Sequence, residues 1–411
     1  SAVRLYDGIT PIGLSERLDA NHKANFSGLN WIIPAEATKY LTVRVIVAGM
    51  ATAGDAFQMG IESAADITAT ATLIGNFPIK GKPLTIVGSG FLEVSLAADT
   101  PQSQIVAVGF DGAINVVFTK INFAAELEDI AVKSIIVKRS GGTDANFQEI
   151  SLWDGPTILF PGQPLIDGEN TFYFPTYWLI PAGTRKTLVI KAKLRGVAIP
   201  SIFGVRSGDN PKLGVNKIKT MGVISGYTRA IELSADLYGN PMVLRKSKPI
   251  VATASLPSRY LAVGEKTLYR WTMTADKKGD IWWRDIEFDV SGATAKIGQM
   301  KIWNLNSNTE IAGQITPIPI PNGLNVIFEA ASEQAILAGT TEIYELKGNV
   351  LTCRRGDVIL TKIKSKAAGL VSDGYGPLLN LPSSFIWTDG IAWTTDYLVP
   401  GIPTAVSALY K

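Results

Sequence analysis

The chain is poor in the side chains that most often carry chemistry. Among 411 residues there is one cysteine, Cys353, so no disulfide can close within it, and one histidine, His22. The two lie far apart in sequence, which disfavours a Cys–His nucleophile pair and zinc sites built on these ligands. Cys353 reads most simply as a small buried hydrophobe in a strand. His22, in "DANHKANF", reads as a solvated turn residue. Charge is also scarce: 39 basic against 36 acidic residues leave +3, with Lys277-Lys278 and Arg354-Arg355 as isolated pairs. No clustered basic face is present to take a nucleic acid. No apolar run approaches the ~18 residues of a membrane-spanning helix. No P-loop, dinucleotide-binding glycine motif, His-Glu-x-x-His or Gly-x-Ser-x-Gly appears. Neither catalysis nor a cofactor is expected.

What is present is β-forming sequence. "YLTVRVIVA" (Tyr40 to Ala48), "AINVVFTKINF" (Ala113 to Phe123), "DIAVKSIIVKR" (Asp129 to Arg139) and "KTLVIKAKL" (Lys186 to Leu194) alternate apolar and polar residues. Turn signals such as Asp7-Gly8, Gly141-Gly142, Asp154-Gly155 and Pro181-Ala182-Gly183 separate them. One short stretch, "AASEQAILA" (Ala330 to Ala338), has a helical composition.

Three landmarks recur in the same order. "LYDG" at Leu5 returns as "LWDG" at Leu152 and, degenerate, as "IWNL" at Ile302, spacings of 147 and 150 residues. "WIIPAEATKYLTVRV" (Trp31 to Val45) is matched by "WLIPAGTRKTLVIKA" (Trp178 to Ala192) and weakly by "AILAGTTEIYELKG" (Ala335 to Gly348). A Gly-Asp pair follows in each copy: Gly54-Asp55, Gly208-Asp209 and Gly356-Asp357. The repeat length is that of a whole domain. Many short strands at this size predict an all-β protein of tandem immunoglobulin-like β-sandwich domains, without the cysteine pair of antibody domains.

The expected boundaries are an incomplete sandwich over 1–99, sandwiches over 100–250 and 251–391, and a tail over 392–411. The later repeats open with strands, such as "KTLYRWTMTA" and "IWWRDIEFDV", ahead of their "LWDG" or "IWNL" turn; nothing equivalent precedes Leu5. "GSGFLEVSLAADTP" (Gly88 to Pro101), "KSKPIVATASLP" (Lys246 to Pro257) and "PSSFIWTDGI" (Pro382 to Ile391) read as repeat closures, which leaves the tail in surplus.

The motifs "LYDG", "FSGLNWIIPAEATKYLTVRV" (Phe26 to Val45) and "SSFIWTDGIAWTTDYLVPGIP" (Ser383 to Pro403) resemble those of a group of large repetitive surface proteins of candidate-phyla (Patescibacteria-type) bacteria. The resemblance implies an extracellular, immunoglobulin-like, repetitive surface protein and no activity. Asp396-Tyr397-Leu398-Val399 stands where that group has a longer Asp-Trp-Thr-Asn-Gly-Tyr run.

The leading functional expectation is a structural subunit of an extracellular filament, pilus-like fibre or surface layer. The first repeat would be completed in trans by a neighbour's tail, with the chain itself as partner in a head-to-tail homopolymer. In the tail, Ile402, Thr404, Val406, Ala408 and Tyr410 would share one strand face, opposite Ala405, Ser407 and Leu409. Leu5 and Tyr6 would lie on the accepting side. The alternative is a carbohydrate-binding or adhesive surface module. Trp282-Trp283 must then turn one ring outward, to stack on a sugar, on a subunit or on a neighbouring domain. Asp285 and Glu287 share a strand face, most simply a solvated one. The acidic stretches "SDGYG" (Ser372 to Gly376) and "SADLYG" (Ser234 to Gly239) could hold calcium, although neither matches a calcium loop.

Overall fold

The computed structural model describes residues 2–47, 51–52, 54–86, 88, 90–197, 204–292, 295–366, 372–373 and 383–411. Among these residues the chain is all-β: strands in several sheets, with single 3-10 turns at Ala64–Asp66 and Asp144–Asn146 and no α-helix. The stretch Ala330 to Ala338 is not helical. Its first residues continue the long strand Gly323–Ile336, which pairs along Ile281–Ser291, and that pairing overrides a weak local preference. Two compact units separate at Phe91 and Leu92.

The unit Leu92–Lys411 holds two β-sandwiches. In the first, one sheet orders Thr157–Gln163, Phe147–Asp154, Arg185–Leu194, Ala113–Glu126 and Phe91–Leu96. Its second sheet orders Glu169–Ile180, Ile130–Ser140, Lys212–Gly222 and Thr228–Tyr238. Alternation sends Ile121, Phe123, Leu188 and Ile190 from the first sheet, and Val132, Ile135, Phe172 and Ile218 from the second, into one shared core. The other sandwich repeats the plan. Gly264–Ala275, Thr341–Thr352 and Lys296–Asn304 face Gly323–Ile336, Ile281–Ser291 and Val358–Ile363 across a core rich in aromatics, including Trp271, Trp283, Phe288 and Tyr344.

The boundaries shift from those expected. Phe91–Leu96 pairs with Ala113–Glu126, and Pro249–Thr253 pairs with Gly264–Ala275. Two of the three segments read as repeat closures, Gly88 to Pro101 and Lys246 to Pro257, therefore contribute the opening strand of the next sandwich, and the third lies within the last one.

The unit Ser1–Phe91 is built from one three-stranded sheet, Thr10–Arg17, Ala2–Asp7 and Leu41–Ile46, and two short ladders, Ala56–Phe57 with Leu84–Thr85 and Gly60–Ile61 with Ile79–Lys80. The hairpins at Asp7-Gly8 and Asp154-Gly155 are alike, with a two-residue loop whose first residue is glycine at φ 62° and 56°.

Candidate assembly site

The repeat is exact in register where the first two landmarks meet. Asp7 lies opposite Leu41 and Leu5 opposite Val43. Asp154 lies opposite Leu188 and Leu152 opposite Ile190, while Asn304 lies opposite Tyr344 and Ile302 opposite Leu346. The same side chains then clamp this corner. Trp178 donates its indole N–H to Asp154 Oδ2 over 3.0 Å, and Lys186 Nζ reaches the same oxygen at 3.0 Å. In the first copy, Trp31 and Lys39 meet Asp7 Oδ2 at 3.1 and 2.7 Å. These two bonds from Lys39 and Trp31 hold the Asp7 carboxyl below the ordinary range. In the third copy the polarity reverses, and Asn304 donates to Glu342 at 3.1 Å.

The Gly-Asp pairs form a second common device. Gly54, Gly208 and Gly356 sit at φ 97°, 101° and 90°, a region that favours glycine. Each glycine N–H donates to the carbonyl of a residue in a closing segment, and that residue's N–H donates back to the aspartate carbonyl. The closing residues are Ile86, Leu244 and Lys411.

This assigns the tail. Ser407–Tyr410 is the closing strand of the last sandwich in its own chain, antiparallel to Val358–Ile363. Leu409 is 1% exposed and Ser407 is buried, whereas Val406 and Tyr410 are exposed. Thr404 Oγ1 accepts the Ile363 N–H at 2.8 Å, and Ile402 packs at the edge of the same core. Ala408 is half-buried. Of the expected five-residue donor face, Ile402, Thr404 and Ala408 are at least half-buried against their own sandwich, while Val406 and Tyr410 are exposed. On the accepting side, Leu5 is buried within the first sheet and Tyr6 carries the Arg44 guanidinium 4.3 Å above its ring.

One edge of the first unit's sheet differs from its counterparts. Leu188 and Ile190 are 0% exposed, but their register equivalents Leu41 and Val43 are 37% and 41% exposed. In both complete sandwiches the strand carrying these residues is paired on its far edge, by Ala113–Glu126 and by Gly264–Ala275. Among the described residues nothing pairs with that edge of Leu41–Ile46. The second sheet also fails for a definable reason. Ile130–Ser140 is the strand that joins Glu169–Ile180 to Lys212–Gly222. Among the described residues, the counterparts of those flanking strands, 22–33 and 58–68, have no such strand between them. The first forms no strand, and the second contributes only Gly60–Ile61.

A buried joint links the two complete sandwiches. Asp389, fully buried, accepts hydrogen bonds from Lys246 N at 2.8 Å, Ser207 Oγ at 2.5 Å, and the N–H groups of Ile391 and Ala392 at 3.1 Å. Arg245, equally buried, donates to the Ala392 carbonyl at 2.9 Å and lies 5.6 Å from the Trp387 ring centroid. Burial lowers its pKa, and the Asp389 carboxylate opposes this. At the same junction Lys278 reaches Asp111 at 2.8 Å. The hairpin bearing Trp387 and Asp389 is inserted before the closing strand. The step from the Gly-Asp glycine to the closing residue is 32 residues in the first copy, 36 in the second and 55 in the third.

The remaining candidates fall elsewhere. Trp283 is buried, and Trp282 turns outward as alternation requires, with its ring edge against Gly390 of the inserted hairpin. Trp282, Arg284, Ser332 and Glu333 line an open depression. Asp285 and Glu287 do not form a solvated face. Glu287 is buried and paired with Lys364 and Lys366, and burial together with Glu329 pushes Asp285 up to about 6. Within "SADLYG", Asp236 lies in the strand Thr228–Tyr238 and accepts the Tyr238 hydroxyl at 3.0 Å. Of "SDGYG", Ser372–Asp373 form a short strand and the rest lies outside the described residues. His22 is exposed in a turn closed by Asp19, and Cys353 packs partly against the last core.

No protein-family model matches the chain, and no curated protein does. Among solved structures, the C-terminal domain of the antigen I/II-family protein AspA of Streptococcus pyogenes is 8% identical. The match covers 66% of this chain and 94% of that one, with a TM-score of 0.20. A Corynebacterium diphtheriae protein described as membrane anchored is also 8% identical, over 88% and 97% of the two chains, with a TM-score of 0.17. These scores are too low for a shared fold.

Proposed function

We propose that the chain is a non-catalytic structural segment of an extracellular or cell-surface assembly. It is built from tandem immunoglobulin-like sandwiches and extended by strand complementation at its first unit. The observation that carries this reading is the contrast between Leu41 and Val43, exposed, and Leu188 and Ile190, wholly buried at the same register. An open sheet edge beside an uncovered apolar face is an aggregation hazard unless a strand is meant to arrive there. Supplying that strand from the next subunit is a heterologous contact, which propagates as an open polymer. The buried joint at Arg245 and Asp389 supports the same role, since it ties neighbouring sandwiches together without using a solvent-facing site.

The test is sedimentation and electron microscopy of the purified full chain across a concentration series. The expected result is large, regularly spaced particles whose proportion rises with concentration. A monomer at every concentration would remove the polymer from the reading.

A further inference from the structure

We propose that the last sandwich carries a self-formed covalent cross-link, an isopeptide bond from Lys364 Nζ to Asn325 Cγ, made with Glu287 as the proton carrier. The three residues come from adjacent segments of one sheet. Ile281–Ser291 runs between Gly323–Ile336 and Val358–Ile363, and Asn325 and Lys362 lie opposite Asp289 from its two sides. Two residues beyond Lys362, the Lys364 N–H donates to the Glu287 carbonyl at 3.2 Å. The Lys364 side chain reaches across the middle strand, and its Nζ donates to Asn325 Oδ1 at 3.0 Å. The carbonyl carbon that an amine would attack is one bond from that oxygen, so the pose is close to a near-attack arrangement. Glu287 completes the cluster: it is 3% exposed, with Oε1 3.9 Å from the same Nζ. Among the described residues Oε1 accepts no hydrogen bond, while Oε2 is held by Lys366. A buried carboxylate whose neighbouring lysine bonds to an amide instead is poorly used as an ion pair and well placed as a base.

The reaction balances without an added reagent. Glu287 takes a proton from the Lys364 ammonium, and the freed amine adds to Asn325 Cγ. The Cγ–Nδ2 bond breaks as that proton reaches Nδ2, and ammonia leaves. The second proton lost by Nζ passes through the same carboxylate and departs with the ammonia as ammonium. The Cγ–Nζ amide forms, the carboxylate is regenerated, and nothing is oxidised or reduced. The surroundings hold the pose before any bond forms. Asn325 is buried, and the backbone of Ile363 bonds in both directions with Thr404. Asp396, itself buried, accepts Ser365 Oγ at 2.8 Å and Lys366 N at 2.9 Å. Both neighbours of Lys364 are thereby fixed. A link that closes the chain between Asn325 and Lys364 constrains the unfolded state as a disulfide would. It does so in a chain whose single cysteine, Cys353, can form no disulfide within it.

The test is the intact mass of the full chain, folded and then denatured, followed by fragment mapping. The expected mass lies below that of the sequence by about 17 Da, the ammonia lost in making the covalent link. Mapping should give one branched peptide that joins Asn325 to Lys364. Lys364→Arg keeps the charge on a side chain that is 26% exposed, and it should restore the full mass. Asn325→Ala should do the same. Glu287→Gln keeps the size of the side chain and should slow the mass loss by about a hundred-fold, with thermal melting used to show that the last sandwich is folded. If Glu287→Gln does not fold, Lys364→Arg decides the matter. The full sequence mass in the folded parent after prolonged incubation overturns the proposal and leaves the cluster as an ion-pair network. A loss of the same size that persists in Lys364→Arg also overturns it, since ring closure at Asn322-Gly323 would release ammonia without Lys364.

Discussion

Leu41 and Leu188 occupy the same position of the same repeat, opposite Asp7 and Asp154, yet one is 37% exposed and the other is completely buried. Their local sequences, strand pairing and Trp–Asp–Lys clamps agree. Ala113–Glu126 pairs beside Leu188, whereas among the described residues no strand pairs with that edge of Leu41–Ile46. Covering a side chain of this size contributes about 1.5–3 kcal/mol, which Leu188 gains in full and Leu41 only in part.

Leu409→Ala should destabilise the last sandwich by about 2–5 kcal/mol, the usual cost of truncating a buried leucine. Removal of Ser407 to Lys411 should go further, because Gly356 and Asp357 lose their backbone partner as well. Denaturant unfolding followed by tryptophan fluorescence reads this directly. An unchanged transition for the last sandwich would mean that the tail is not its closing strand.

Trp178→Phe keeps an aromatic ring in the core but removes the N–H bonded to Asp154. A hydrogen bond to a charged acceptor contributes about 1.5–3 kcal/mol. The sandwich that holds Trp178 should weaken by that order, as measured by thermal unfolding, and the last sandwich should not.

Asp389→Ala strips the shared acceptor from Ser207, Lys246, Ile391 and Ala392 and leaves Arg245 buried without its nearest anion. Breaking a buried ionic arrangement in this way costs about 3–5 kcal/mol. The two complete sandwiches should then unfold in two separate calorimetric transitions instead of one.

Asp285 gives a pH signature. Burial, reinforced by Glu329, raises its carboxyl from 3.8 to about 6 in the folded chain. The folded state therefore holds the proton more tightly than the unfolded one, and stability from this group is complete below about 3.8 and lost as pH rises through about 6. Asp285→Asn should melt higher than the parent at pH 8, with the gap closing by pH 4. A gap that is constant with pH would contradict this.

Much of the fold is legible in sequence because turn chemistry marks it. Asp-Gly hairpins and positive-φ Gly-Asp turns constrain the backbone, so they persist where core residues drift. The tail is harder to read. Its closing role is displaced by the inserted hairpin around Trp387 and Asp389, so a strand that belongs to its own sandwich looks surplus. Arg245 and Asp389 carry no local signal at all, since their meeting depends on how two sandwiches join. Glu287 looks solvated by alternation, and only the lysines of a distant strand end, Lys364 and Lys366, explain its burial.

The most direct measurement is residue-resolved hydrogen exchange of the two equivalent strands, Leu41–Ile46 and Arg185–Leu194, in the dispersed chain and in its assembled form. In the dispersed chain, Leu188 and Ile190 should exchange slowly, and Leu41 and Val43 at least a hundred-fold faster. On assembly the first strand should approach the protection of the second. Equal protection of both strands in the dispersed chain, or no gain in Leu41–Ile46 on assembly, would contradict an incomplete first sandwich that is completed from outside.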